Sequence, residues 1–327
     1  MIKLNSPKFW QKTNWFSSLL TPLSYLYMLL GYVRKIFIKP IRLPAYVICV
    51  GNITIGGGGK TQIVRWLASH LKEKYKILVI TKAYNSSLKK AKFVQESDLA
   101  SDVGDESKLL AKNAAVIATK SLKQALDLIK EFDPEIIIFD DGMQSPRFQK
   151  DLTILSITTD RALGNQKIFP AGPLRQTLSS ALKISDIAIL VGNNGTANNL
   201  LSSYNLPIFN AQIVPESEDI IKTNQNYLAF AGISNPNSFF QLLKKYNIKI
   251  DSCKSFPDHY LYTQKDIMNL RELALRLRLN LITTEKDYVR IDNPENIKYL
   301  PVKLSFEKKD KLLDLLYKKI QNQVSKN

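Results

Sequence analysis

From residue 45 onward, short apolar runs alternate with amphipathic stretches. Strand-length runs fall at 45–50, 77–81, 115–118, 136–139, 152–157 and 187–191, each bounded by polar or turn-forming positions. Between the first two, the stretch 61–74 places Ile63, Trp66, Leu67 and Leu71 on one helical face and Arg65, Ser69 and Lys72 on the other. The stretch 121–131 also has helical period. This alternation predicts an α/β protein in which a parallel sheet is covered by helices on both faces. A polar stretch, Gly192-Asn193-Asn194-Gly195-Thr196, precedes a second series: strands at 208–214 and 227–231, a helix over 263–279, a strand at 281–284 and a basic helix over 308–323. The expected organisation is an N-terminal segment over 1–44, a main domain over 45–205, and a smaller α/β domain over 206–327.

The N-terminal segment has a different pattern. No charge occurs from Thr13 to Val33, a stretch that carries Trp15, Phe16, Leu19, Leu20, Tyr25, Leu26, Tyr27, Leu29, Leu30 and Tyr32. About 20 apolar residues are needed to span a bilayer, and this run is diluted by Ser17, Ser18, Thr21, Pro22, Ser24 and Gly31. A helical segment lying in the membrane interface is expected, with a spanning helix or a buried core helix as the alternatives, and a cleaved leader is not expected. Charge supports this. The chain carries a formal +17, and ten cations precede Glu73, the first acidic residue. Such clustering calls for an anionic partner, and the interleaved aromatic residues select an anionic lipid surface over nucleic acid. Cys49 and Cys253 lack the spacing of a disulfide framework or a zinc site, and both read as packing residues.

Five of the thirteen glycines fall within residues 51–59, between a predicted strand and a predicted helix. Backbone amides can converge on phosphate oxygens there, at the favourable end of the helix dipole. In the run Thr54-Ile55-Gly56-Gly57-Gly58-Gly59-Lys60-Thr61, Lys60 would reach the β- and γ-phosphates of ATP and Thr61 would bind Mg2+. Thr54 stands where the common phosphate-loop pattern begins with glycine. A metal site of this kind needs a carboxylate at the end of another core strand, and Ile136-Ile137-Ile138-Phe139-Asp140-Asp141 supplies two. The fold class expected is therefore an α/β, P-loop NTPase-like domain with a smaller α/β domain and a membrane-associating N-terminal helical segment.

The loop resembles that of the tetraacyldisaccharide 4'-kinases, membrane-associated enzymes of lipid A biosynthesis. Further segments match the family in order: Val103-Gly104-Asp105-Glu106, Asp140-Asp141-Gly142-Met143-Gln144, Pro170-Ala171-Gly172-Pro173-Leu174-Arg175, Phe230-Ala231-Gly232-Ile233, Phe256-Pro257-Asp258-His259 and Thr283-Thr284-Glu285-Lys286-Asp287. The resemblance implies transfer of the ATP γ-phosphoryl group to the 4'-hydroxyl of a tetraacylated glucosamine disaccharide 1-phosphate, by a peripheral protein on the cytoplasmic face of the bacterial inner membrane. It nominates Asp105 as the base, assisted by His259 from the second domain. Asp105 also suits a helix N-cap. Arg175 can hold a phosphate of ATP or of the lipid, or stand at the surface. Gln144 is a further candidate at the nucleotide.

Two segments depart from the family. Thr81-Lys82-Ala83-Tyr84-Asn85 replaces Ser-Arg-Gly-Tyr-Gly, and Ser145 stands where a histidine is usual. His70 reads as a structural residue of the helix after the loop, and Glu285-Lys286-Asp287 as a turn. The alternative function is a membrane-docked regulatory NTPase without kinase activity. A guanine-reading loop would need Asn at the position of Glu285 in Thr284-Glu285-Lys286-Asp287.

Overall fold

The computed structural model describes residues 7–57, 59–84, 86–159, 163–192, 201, 204–217 and 225–324. Expectations placed on Gly58, on Asn85 and on 193–196 concern residues outside these. The chain opens with helices α1 (Trp15–Leu19) and α2 (Thr21–Ile36). The series β1 (Tyr46–Asn52), α3 (Lys60–Leu71), β2 (Ile77–Lys82), β3 (Lys92–Phe93), α4 (Ala100–Val103), α5 (Asp105–Leu110) and β4 (Ala115–Thr119) follows. Next come α6 (Leu122–Phe132), β5 (Ile136–Asp140), β6 (Leu152–Thr158), α7 (Leu178–Lys183), β7 (Ile187–Val191) and β8 (Ile208–Pro215). The remainder is β9 (Tyr227–Ala231), α8 (Pro236–Lys245), β10 (Ile250–Ser255), α9 (Gln264–Leu277), β11 (Asn280–Thr284), α10 (Glu285–Tyr288), β12 (Ile297–Leu300), β13 (Val302–Phe306) and α11 (Lys309–Val324).

Among the described residues, the strands form a large sheet in the order β13-β8-β7-β6-β1-β5-β2-β4-β3 and a small one in the order β10-β9-β11-β12. From β8 to β4 the large sheet is parallel, and β13 and β3 close its edges antiparallel. Strands β1 and β5 are buried along their whole length, as their unbroken apolar sequences require of a sheet covered on both sides. Alternate residues of β1 feed the two cores. Ile48 and Val50 meet Ile63 and Leu67 of α3 and Leu312, Leu316 and Ile320 of α11 on one face. Val47 and Cys49 meet Ile129 of α6 and Leu182 of α7 on the other. The small sheet is parallel throughout, with Phe239 and Leu243 of α8 on one face and Ile267 and Leu270 of α9 on the other.

The expected break after residue 205 falls between β7 and β8, which are hydrogen-bonded neighbours. Strand β13 returns to pair with β8, and α11 packs on the large core, so the small sheet is confined to segments between them. Pairing of strands distant in sequence decides this, and a reading along the chain does not contain it. Cys253, expected to pack, is exposed because β10 is an edge strand of the small sheet. Cys49 is buried, and His70 is half-buried, stacked on Trp66 at 4.3 Å between ring centroids.

The N-terminal segment docks through a narrow polar seam. The Ser24 hydroxyl donates to the Ile168 carbonyl at 2.7 Å, the Trp10 indole to the Pro170 carbonyl at 3.0 Å, and Lys167 to Ser18 at 3.0 Å and Thr21 at 3.2 Å. The large apolar side chains point outward: Trp15 is 78% exposed, Tyr25 68% and Phe37 81%. Among the described residues, no helix is long and apolar enough to cross a membrane.

Ile138, fully buried at the centre of β5, tests the continuity of the large core. Ile138→Ala should lower unfolding free energy by about 2–5 kcal/mol, the usual cost of such a cavity. Urea unfolding measures it, and a near-zero change would show that β5 is not central.

Candidate active site

Strands β1 and β5 pair in register, Val50 against Asp140, so their carboxyl ends open side by side at the edge where parallel sheets bind ligands. The chain leaves β1, turns through the glycines and enters α3 at Lys60. Gly59, the residue before α3, has φ 69°, and a Cβ there would lie 3.3 Å from Val191. Gly56 has φ 105°. Glycine suits both conformations. The Lys60 ammonium lies 3.1 Å from Asn52 Oδ1 and 3.3 Å from Asp141 Oδ1, buried at the mouth of the loop.

Thr61 and Asp140 lie in contact at this edge. The Thr61 hydroxyl donates to Asp140 Oδ2 at 3.1 Å, and Asp140 Oδ1 is buried with no hydrogen-bond partner among the described residues. Burial, with Glu106 and Asp141 nearby, pushes the Asp140 carboxyl up to about 7, against the opposing pull of Lys60. Orphaned hard oxygen beside a hydroxyl is the donor set Mg2+ takes when phosphates and water complete its shell. Asp141 is also buried, which opposes ionisation, yet Lys60 and Arg175 hold it below the usual carboxylate range. Arg175 Nη1 lies 3.0 and 3.1 Å from the two Asp141 oxygens, so its guanidinium is fixed and not a free surface group.

The other nucleotide candidates have structural contacts. The Gln144 amide donates to the Asn52 carbonyl at 2.8 Å, which braces the end of β1. Thr54 accepts from Asn52 at 3.3 Å, and the Ile55 amide donates to the Pro173 carbonyl at 2.8 Å. The Gly57 amide faces Ser234 Oγ at 3.3 Å.

Asp105 is the first residue of α5. The N-cap position belongs to Gly104, whose φ of 90° sets the turn. The Glu106 amide donates to Asp105 Oδ1 at 2.9 Å. Oδ2 faces the small-sheet lobe, where His259 Nδ1 lies at 3.1 Å, Arg290 Nε at 2.8 Å with Nη2 also in contact, and Lys286 Nζ at 3.8 Å. Burial opposes ionisation of Asp105, but Lys286, His259 and Arg290 together hold its carboxyl well below the usual range. Lys286 also bonds Glu106 at 2.9 Å.

A cavity of about 720 Å³ is lined by Gly59, Lys60, Asp141, Arg175, Asp105 and His259. The structure thus brings both predicted constellations to one space. Lys82, in the segment that departs from the family, also lines it, while Ser145 does not. Glu285-Lys286-Asp287, expected as a turn, forms the short helix α10 capped by Thr284, and Arg65 of α3 bonds Glu285 at 2.7 Å. Sequence reasoning missed Arg290. Its spacing of three from Asp287, to which it bonds at 3.0 Å, was the available signal.

Residues 16–321 match the family model described as tetraacyldisaccharide-1-P 4'-kinase, LpxK. Proteins named tetraacyldisaccharide 4'-kinase from Rickettsia bellii and Rickettsia felis are 49% and 48% identical to this chain, each over 98% of it and over 100% and 99% of their own lengths. A crystal structure of LpxK from Aquifex aeolicus in complex with ATP superposes with a TM-score of 0.74 at 27% identity, covering 93% of this chain and 99% of that one. A match over 98% of the chain at this identity, on a fold whose glycine loop and Asp141 line one cavity with Asp105, places the chain in the tetraacyldisaccharide 4'-kinase family.

Proposed function

We infer that the protein transfers the γ-phosphoryl group of ATP to the 4'-hydroxyl of a tetraacylated glucosamine disaccharide 1-phosphate. The observation that carries this is the single cavity that joins the phosphate loop to Asp105 and His259. Lys60 and the loop amides receive the β- and γ-phosphates, with Asp141 orienting Lys60 and Arg175 toward them. Thr61 and Asp140 hold Mg2+, which when bound neutralises charge on the phosphate oxygens. Asp105 takes the proton of the acceptor hydroxyl as the new bond to phosphorus forms, and His259 steadies it. The lobe built on the small sheet closes the cleft by supplying His259, Lys286 and Arg290.

A lipid acceptor must be met at a bilayer. The outward apolar face of α1 and α2, flanked by Lys12, Arg34 and Lys35, supports a peripheral site on an anionic membrane rather than on nucleic acid. ATP and this geometry together favour the cytoplasmic face of the bacterial inner membrane. The regulatory NTPase alternative is disfavoured. Asp287, which would have to read a guanine base, is fully buried and bonded to Tyr262, Gly232 and Arg290.

Incubation with ATP, magnesium and the disaccharide 1-phosphate lipid in detergent micelles should yield a product carrying phosphate at the 4' position, located by mass spectrometry. Its absence would sink the kinase reading. In the same assay Lys60→Ala and Asp141→Asn should each lower turnover by roughly 10²–10³, the range for loss of one preorganised charge-stabilising group, while far-UV circular dichroism stays that of wild type. Retention of activity within a few-fold would show the nucleotide site misassigned.

Leu19, Leu30 and Tyr32 are each more than 60% exposed, so Asp at all three should leave the fold intact. The triple variant should stay in the supernatant when sedimented with anionic vesicles that pellet wild type. If it still pellets, the membrane contact lies elsewhere.

A further inference from the structure

Arg290 is the most completely enclosed cation at the site, with its side chain 2% exposed, and it lies outside the motifs that the family reading uses. The guanidinium is held from behind. Its Nη1 donates to Asp287 Oδ1 at 3.0 Å and to the Gly232 carbonyl at 2.9 Å. Asp287 is in turn fixed by the Gly232 amide and the Tyr262 hydroxyl, both at 3.0 Å from Oδ1, and by the Thr284 hydroxyl at 2.6 Å from Oδ2. This leaves Nε and Nη2 as a rigid fork, and both tines converge on one atom, Asp105 Oδ2.

The two oxygens of Asp105 are therefore unequal. Oδ2 receives Arg290 Nε, Arg290 Nη2 and His259 Nδ1, more donors than a carboxylate oxygen has lone pairs to serve well. Oδ1 receives the Glu106 amide and, among the described contacts, nothing else, so it retains capacity for a proton. We propose that Arg290 is a positioning residue for phosphoryl transfer: it pins Oδ2 of Asp105 so that the acceptor proton is received on Oδ1. The proposal rests on the kinase reading above. In the step, the acceptor O–H proton passes to Oδ1 while the acceptor oxygen bonds to the γ-phosphorus. The bond from that phosphorus to the β,γ-bridging oxygen breaks, and its electron pair leaves with ADP.

A second consequence concerns ionisation. Desolvation alone would drive a carboxyl this buried toward the neutral form, which cannot accept a proton. The charged groups around it are Lys286, His259 and Arg290 from the small lobe and Glu106 beside it on α5, with Asp258 3.9 Å from the far nitrogen of His259 and Asp287 behind Arg290. Glu106 and Asp287 oppose ionisation of Asp105. Lys286 is shared with Glu106, and His259 directs a single nitrogen at Asp105. Arg290 alone of the three directs two donors at Asp105 Oδ2, from a guanidinium that stays charged at every working pH.

The test is the pH dependence of kcat at saturating lipid and Mg-ATP for wild type, R290Q and R290K, with thermal melts and nucleotide affinity measured alongside. R290Q should raise the acidic limb by about one pH unit or more, because a bell-shaped kcat profile reports the base in the enzyme–substrate complex. KM for ATP should change by less than about two-fold, as expected when an interaction acts on the chemical step alone. R290K restores the charge but not the fork, so its acidic limb should return close to wild type while kcat stays several-fold low. A folded R290Q with an unmoved limb, or with its whole defect in KM for ATP, would overturn the proposal. If R290Q does not fold, R290K decides: wild-type kcat from a residue that cannot make the two-nitrogen contact would also overturn it. Wild type without 4'-phosphorylation would bring down the kinase reading and this proposal together, and that result is visible in the control before any variant is compared.

Discussion

A buried carboxylate persists as an anion only where cations and hydrogen bonds replace the water it has lost. Asp105 stands on the large-sheet lobe, yet its three basic partners, Lys286, Arg290 and His259, all come from the small-sheet lobe. Breaking such a buried pair by removing one partner costs roughly 3–5 kcal/mol, since the remaining charge is left uncompensated. The same contacts that keep Asp105 ionised thus hold the lobes together. Arg65 with Glu285, and Lys286 with Glu106, extend the seam toward the phosphate loop. The ionisation of Asp105 and the docking of the lobes are in this way one electrostatic arrangement.

The nucleotide side obeys the opposite rule. Among the described residues Asp140 has no cation in direct contact and its Oδ1 has no hydrogen-bond partner, and its carboxyl is pushed up to about 7 by burial and neighbouring acids. That strain is of the kind a bound divalent cation relieves. Asp141, one residue on, is satisfied by Lys60 and Arg175. The adjacent carboxylates thus face different partners, Asp140 toward Thr61 and Asp141 toward Lys60 and Arg175, with a positive φ of 61° at Asp141.

Much of this was legible in the sequence wherever the signal was local. The glycine loop, the strand ending in Asp140-Asp141 and the helix after the loop are each defined by contiguous residues. Matching segments also nominated Asp105 and His259, which lie 154 positions apart and meet at 3.1 Å. What could not be read depended on non-local pairing. Strand β8 continues the large sheet beside β7, across the expected boundary at 205, and β13 joins it through β8, a partner about ninety positions away. Cys253 looked apolar enough to pack, but only sheet order shows that β10 is an edge. Gln144 and Arg175 both looked like ligand contacts. Gln144 braces β1 through the Asn52 carbonyl, and Arg175 is held by Asp141 while lining the cavity.

The central claim is that Asp105 and His259 act as one proton-accepting unit across the lobe seam, and a double-mutant cycle on turnover addresses it most directly. With saturating lipid and ATP, Asp105→Ala should lower kcat by roughly 10²–10⁴, the range for loss of a general base. His259→Ala should cost less, and the double variant should fall well short of the product of the single losses, as for residues that act together. Strictly multiplicative losses, or an Asp105 variant impaired only in nucleotide affinity, would contradict the account.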